Sequence, residues 1–373
     1  MQLLHQGDRG SAAAEVRAIL AGLGLLNNTN PASTDVIDPA ADRAVRAFQQ
    51  NRGLTVDGIV GPETYRALTA ARWRLGDRVL VHNATALQRG DDIEALQNSM
   101  LGLGYDTGRA DGVFGRLTEN AVRNFQRDSG LVPDGVCAGQ TLRALDQLGR
   151  RIVGGRPQLL REMAAVADAG PNLLGKRVVV DPSHGGPDSG AVFGELTESD
   201  LVWDLASRLE GRLNAVGVTT WLTRGPHNTS TDEQRAQFAN NQRADLVISL
   251  HLDSSPSPLH NGVATYYYGS ANIESALGER LAGLVQREIV ARTSMLDARA
   301  HPKTWELLRL TRMPAVWVEV GYLTSPGDRA QIADPLFRDV VAEGILVAVQ
   351  RLYLPKEEDP ATGVMQITAG ALS

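Results

Sequence analysis

An internal repeat limits what the N-terminal part of this chain can fold into. The stretch FQQNRGLTVDGIVGPETYRAL, Phe48 to Leu68, recurs as FQRDSGLVPDGVCAGQTLRAL, Phe125 to Leu145, with Phe, Gln, Gly-Leu, Asp-Gly and the closing Arg-Ala-Leu in register. Upstream, GSAAAEVRAILAGLG (Gly10 to Gly24) matches GDDIEALQNSMLGLG (Gly90 to Gly104), so that Ala13, Val16, Leu20 and Leu23 face Ile93, Leu96, Met100 and Leu103. Apolar residues at such intervals mark one face of a helix. Each copy therefore reads as an amphipathic helix, a second helix ending near Phe-Gln, a tight Asp-Gly turn, and a last helix starting near Pro62 or Gln140. The first copy carries a longer loop in the polar stretch NNTNPASTD, where extra length is tolerated. Two copies are too few for a solenoid.

After a polar Gly-Arg-Pro stretch near GGRPQ the pattern changes. From about Lys176 to Leu354, the segments RVVVDPSH, VTTWLTR, DLVISLHLD, VATYYYG and AVWVEVGYL are rich in β-branched and aromatic residues, and amphipathic helices fall between them. The expected architecture is multidomain: two small all-α three-helix modules at 3–70 and 87–149, then an α/β domain at 176–354 with a twisted mixed sheet covered by helices. A length of 373 residues at 43% hydrophobic and 21% charged suffices for more than one core.

Charge and composition exclude several functions. A net charge of -6 argues against nucleic acid as a partner. The single cysteine, Cys137, rules out an internal disulfide framework and reads as core filler. No segment approaches the roughly 18 uncharged apolar residues of a membrane span. The opening residues MQLLHQGDRG bring charge at Asp8 and Arg9, and Glu15 and Arg17 interrupt the next apolar stretch, which is a helical pattern and not a secretory leader. The sequence as it stands is expected in the cytoplasm, or in the cell wall if a leader lies upstream.

The ends of the apolar strands hold the chemistry. Val178-Val179-Val180 runs into Asp181-Pro182-Ser183-His184, Leu246 to Leu250 runs into His251, and Val316-Trp317-Val318 runs into Glu319. Glu198 opens the helix TESDLVWDLASRLEGRL, with Thr197 as its cap and Leu201, Leu205 and Leu209 as its buried stripe. Two imidazoles and a carboxylate are a suitable three-ligand set for zinc with one open position, leaving Glu319 to handle protons. Each residue also has a plainer reading: a histidine ending a strand is often a hydrogen-bonded loop residue, and Glu198 can simply favour the helix dipole. An acid inside an apolar strand, as at Glu319, is costly unless paired or functional. Asp181, three residues before His184, is placed to support an imidazole or to cap a turn. His5, His82, His227, His260 and His301 read as surface residues.

The repeated modules resemble the peptidoglycan-binding domain of bacterial wall hydrolases, a three-helix fold. The first copy departs from that pattern with Ala13 for Val and Arg17 for Gln, the second with Ala138-Gly139-Gln140 where the first has Gly61-Pro62-Glu63. The C-terminal part, through HGGPDSGAVFGELTESDL, RAQFANNQRADLVISLHLD, NGVATYYYG and MPAVWVEVGYLTSPGD in that order, resembles the zinc-dependent N-acetylmuramoyl-L-alanine amidases of type 3. The resemblance implies Zn²⁺ as cofactor, His184, Glu198 and His251 as its ligands, and Glu319 as the catalytic residue. Ser183 stands where that family usually has Gly, Ser199 where Lys often follows the ligand Glu, and Ser325-Pro326 where Ser-Asn is usual. The implied substrate is peptidoglycan. A second reading stays open: a cytoplasmic regulator, weakly or not catalytic, that binds muropeptide precursors or a peptidoglycan-synthesis enzyme.

Overall fold

The computed structural model describes residues 3–26, 35–149, 170–257, 259–269, 275–354 and 361–365. The longer polar loop at 27–34, the Gly-Arg-Pro stretch at 154–158 and the C-terminal run from 366 lie outside the described residues. The chain divides into two compact units, Met1–Arg161 and Glu162–Ser373.

The first unit is helical. Its helices are α1 (Ser11–Gly22), α2 (Pro39–Arg52), α3 (Pro62–Ala71), α4 (Asp91–Gly102), α5 (Arg116–Asp128) and α6 (Gly139–Gly149). Ala13, Val16 and Leu20 on α1 and Ile93, Leu96 and Met100 on α4 are all buried, as their spacing requires. Cys137 joins the core around Phe114 and Phe125, and burial pushes its thiol up to about 12, which leaves it an inert apolar filler.

A Gln, an Asp-Gly turn and a Thr form one buried knot, made twice from the repeated Phe-Gln motif and a third time around Gln97. The Gln49 amide donates to Asp57 Oδ1 (2.7 Å), the Ile59 carbonyl (3.1 Å) and Thr64 Oγ1 (3.2 Å), while its oxygen accepts from the Gly58 amide (2.9 Å). Gln126 repeats this with Asp134, Val136, Thr141 and Gly135. Gln97 does so with Asp111, Val113, Thr118 and Gly112. Each knot pins a helix to the turn that starts the next helix, satisfying polar groups that burial would otherwise penalise. The Asp-Gly turn needs glycine. Gly58 has φ 75, and a Cβ there would lie 2.5 Å from Arg46 and Asp42 atoms. In the first copy, Arg17 takes the position of Gln97: its guanidinium donates to the Val36 carbonyl (3.0 Å) and pairs with Asp38 (3.0 Å), which also caps α2.

The second unit is built on a six-stranded sheet in the order β4-β1-β5-β8-β6-β7. Its strands are β1 (Arg177–Pro182), β4 (Thr219–Leu222), β5 (Leu246–Asp253), β6 (Val263–Tyr268), β7 (Asp297–Lys303) and β8 (Ala315–Tyr322), and β2 (Val192–Phe193) pairs with β3 (Leu196–Thr197) in a separate hairpin. Strands β4, β1, β5 and β8 run parallel, β6 is antiparallel to β8, and β7 is parallel to β6. One face, with Val178, Val180, Ile248, Leu250, Val316 and Val318, packs in the main core against α7 (Glu198–Ala215), α9 (Ala276–Arg292) and α12 (Pro335–Tyr353). The opposite face places Val179, Val247 and Ala315 against Ala239 of α8 (Asp232–Asn241) and Leu308 of α10 (Glu306–Leu310). A mixed sheet with helices on both faces matches the expected fold class. No helix among the described residues is long and apolar enough to cross a membrane.

Candidate metal centre

The site forms where β1, β5 and β8 end beside the start of α7. After Pro182 the chain enters the left-handed region, at φ 58 for His184, 117 for Gly185 and 58 for Gly186. A left-handed histidine is uncommon and marks a turn held by its surroundings. Arg224 does the holding: buried, it donates to the carbonyls of Pro182 (2.8 Å), Ser183 (3.0 Å) and Ser199 (2.9 Å), tying the turn to the first turn of α7. Thr197 caps α7 by accepting from the Asp200 amide (3.2 Å), so Glu198 leaves the first helical position toward the turn.

His184, Glu198 and His251 converge, with one ligand atom from each lying within 4.8 Å of the others. His184 Nε2 is 3.3 Å from Glu198 Oε2, and His251 Nδ1 is 3.4 Å from Glu198 Oε1. Those separations suit a tetrahedral ion with bonds of about 2.0–2.1 Å. Glu198 is buried and accepts from Ser183 Oγ (3.0 Å), the Leu252 amide (2.9 Å) and the Ala191 amide (2.9 Å). Burial opposes its charge, but the His184 and His251 imidazoles outweigh it and hold it well below the usual carboxylate range. Gly190 lets the ligands close up: at φ 63, a Cβ there would sit 2.5 Å from Glu198 Oε2 and 2.7 Å from His184 Cδ2.

The outer nitrogens are also engaged. His184 Nδ1 meets Asp188 Oδ2 at 2.8 Å, and His251 Nε2 meets Ser249 Oγ at 3.0 Å. Ser249 in turn donates to Asp181 Oδ2 at 2.6 Å. A carboxylate behind each imidazole fixes ring orientation and favours the ligating tautomer. Burial pulls His184 down, but Glu198 and Asp188 outweigh it and raise it to about 9. Full burial dominates at His251 and lowers it to about 4, despite Glu198. The donor chemistry, spacing and backing of this trio all fit a divalent ion such as zinc.

Glu319 lies opposite His251 across the β5–β8 pairing. Its Oε1 accepts from the Trp317 indole (2.9 Å), and its buried Oε2 has no hydrogen-bond partner among the described residues. Burial first, then the charge of Asp253, pushes Glu319 up to about 8. The Trp317 ring stacks flat on His251, with centroids 3.3 Å apart and planes at 11°. A buried carboxyl poised near neutrality with one open oxygen is equipped to take up and release a proton.

The structure thus brings together all four residues singled out in sequence. Asp181 does support an imidazole, that of His251 through Ser249, while the near neighbour of His184 is Asp188. The β1–β5 pairing sets Asp181 beside Ser249, and the left-handed turn carries His184 on toward Asp188. Of the remaining histidines, His5, His227, His260 and His301 are exposed, but His82 is half-buried and paired with Glu119 at 3.0 Å. Trp317, Ser249, Asp188 and Arg224 were missed. Trp317 and Ser249 each stand two residues before a site residue on the same strand face, which is the one signal the sequence offered. The departures also have structural roles: Ser183 donates to Glu198, and Ser325 with Pro326 starts α11 (Pro326–Ala333) as its cap and first residue.

Residues 178–351 match the N-acetylmuramoyl-L-alanine amidase family, and residues 9–68 and 89–145 match the peptidoglycan-binding domain family. The chain is 47% identical over 372 residues to the N-acetylmuramoyl-L-alanine amidase CwlM of Mycobacterium tuberculosis, covering 96% of this chain and 92% of that protein. It is 30% identical over 205 residues to the germination-specific N-acetylmuramoyl-L-alanine amidase of Bacillus subtilis, covering 50% of this chain and 84% of that one. Among solved structures, an N-acetylmuramoyl-L-alanine amidase from Clostridium difficile is similar at 30% identity with a TM-score of 0.45, covering 47% of this chain and 95% of that chain.

Proposed function

Since the chain belongs to the N-acetylmuramoyl-L-alanine amidase family, we propose that it hydrolyses the amide between the lactyl group of muramic acid and the L-alanine of peptidoglycan, with zinc held by His184, Glu198 and His251. The observation that carries this reading is the closure of those three ligand atoms to within 4.8 Å beside a carboxyl oxygen of Glu319 that no described residue hydrogen-bonds. A zinc ion bound there supplies Lewis acidity, lowering the pKa of a water to about 7 and polarising the scissile carbonyl.

The protein's own residues do the rest. Asp188 and the Ser249–Asp181 pair hold the two imidazoles in their ligating orientation. Glu319 Oε2 takes the proton of the attacking water and returns it to the alanine nitrogen as the C–N bond breaks. The Trp317 indole keeps the other oxygen, Oε1, turned away from that exchange. The helical modules, matching a peptidoglycan-binding family, keep the chain on its polymeric substrate.

Elemental analysis tests the ligand set. The full chain should hold about one zinc, and His184→Ala or His251→Ala should lose most of it. Glu319→Gln should keep its zinc and lose turnover. Full zinc in both histidine variants, or loss of zinc in Glu319→Gln, contradicts the assignment.

A further inference from the structure

The sheet face that carries the site also carries a row of aromatic rings that the hydrolytic reading leaves without a role. Asp181, Ser249, Trp317, Tyr266 and His301 stand opposite one another in register across β1, β5, β8, β6 and β7. In-register partners project from the same face of a sheet. The Trp305 ring lies 4.7 Å from both Trp317 and Tyr266, and Tyr266 lies 5.9 Å from His301. The row starts at Glu319 and His251, through Trp317, and ends at exposed His301, with the Lys303 ammonium 5.4 Å from the Trp305 ring and 5.7 Å from Tyr266.

These rings are more than core. Trp317, Trp305 and Tyr266 are each half-buried, whereas the core behind them, at Val179, Val247 and Leu308, is closed. No described residue hydrogen-bonds the Tyr266 hydroxyl, although buried tyrosines usually find a partner. Burial pushes that phenol above its ordinary range, so it stays a neutral hydroxyl able to donate or accept a hydrogen bond. Half-buried aromatic rings of this kind suit the C–H face of a pyranose ring.

We propose that Trp305 and Tyr266 form a saccharide shelf, on which the muramyl ring stacks while its lactyl amide, a few bonds away, reaches Glu319. This rests on the amide-hydrolase reading, since it is the scissile bond that places the sugar there. Trp317 links shelf and reaction site, because the ring that continues the shelf also holds the Glu319 carboxyl.

Calorimetric titration of the full chain tests the shelf with two probes that the enzyme does not cut: an oligosaccharide of N-acetylglucosamine, and a sugar-free stem tripeptide. Trp305→Ala should weaken the oligosaccharide about tenfold and leave the tripeptide unchanged, the loss of one stacking partner. Trp305→Phe should stay within about twofold of wild type, and Tyr266→Ala serves as an independent second variant with the same pattern. Three results overturn the proposal: no oligosaccharide binding by wild type, binding that Trp305→Ala and Tyr266→Ala leave intact, or a loss confined to the tripeptide. Intact binding in those variants would assign the sugar to the helical modules. Hydrolysis assays separate the two readings. Shelf-dependent binding without turnover overturns only the hydrolytic reading, and turnover with an unchanged KM in Trp305→Ala overturns only the shelf.

Discussion

Ser249 joins His251 to Asp181, although neither its size nor its position in an apolar strand marks it as important. Removing it leaves an imidazole nitrogen and a buried carboxylate without their shared partner. Ser249→Ala should therefore lower zinc affinity about 10–100-fold, read by competition with a chelator, with the fold unchanged. Unaltered affinity would mean that His251 is held by its stack on Trp317 alone. Glu319 carries a second test at this scale. Its ordinary value of 4.5 rises to about 8 in the fold, so between those values the folded state keeps a proton that the unfolded state has lost. Stability accordingly falls as pH rises through that window. Glutamine mimics the neutral acid and still accepts from the Trp317 indole. Glu319→Gln should stabilise the metal-free protein by about 1–3 kcal/mol at about pH 7, with the gain closing near the ordinary carboxylate pKa. A Tm difference that does not vary with pH would show that Glu319 is ionised in the fold. Residue identity was legible at this scale wherever chemistry demanded a rare choice, as with an acid in the strand Val316 to Val320. The supporting contacts were not, because Asp188, Ser249 and Arg224 gain their partners only when separate strands and loops meet.

Among the elements, the strands read from β-branched runs appear where their composition placed them, and the helical stripes of α1, α4 and α7 are buried as their spacing required. β7 was not anticipated. Its sequence, DARAHPK, is polar, contains Pro302 and has Arg299 in the left-handed region, all of which an edge strand tolerates because it pairs on one side only. The two-residue strands of the β2–β3 hairpin are too short for periodicity to register. The repeated Gln, Asp-Gly and Thr residues were legible as a pattern, but their cause is the knot that only the folded turn creates. Gln126→Ala should strand the Gly135 amide and take one donor each from Asp134, Thr141 and the Val136 carbonyl, and lower the stability of the helical unit by about 2–4 kcal/mol in urea unfolding. A loss under about 0.5 kcal/mol, ordinary for a surface site, would mean the knot contributes little.

At the scale of the whole molecule, the chain matches a peptidoglycan-binding family over its helical part and an amidase family over its α/β part, the pairing that the proposed hydrolysis of a polymer calls for. A net charge of -6 argues against nucleic acid as a partner. The site depends on the sheet order, since β1, β5 and β8 are neighbours although their residues are far apart in sequence. The central claim concerns which bond is cut, and mass spectrometry of purified peptidoglycan digested with the zinc-loaded full chain tests it most directly. The account predicts release of stem peptides with a new free L-alanine amine, in step with sugar chains whose lactyl groups end in carboxylates, and neither product from Glu319→Gln. New reducing sugar ends, cleavage within the stem peptide, or undiminished release by Glu319→Gln would contradict it.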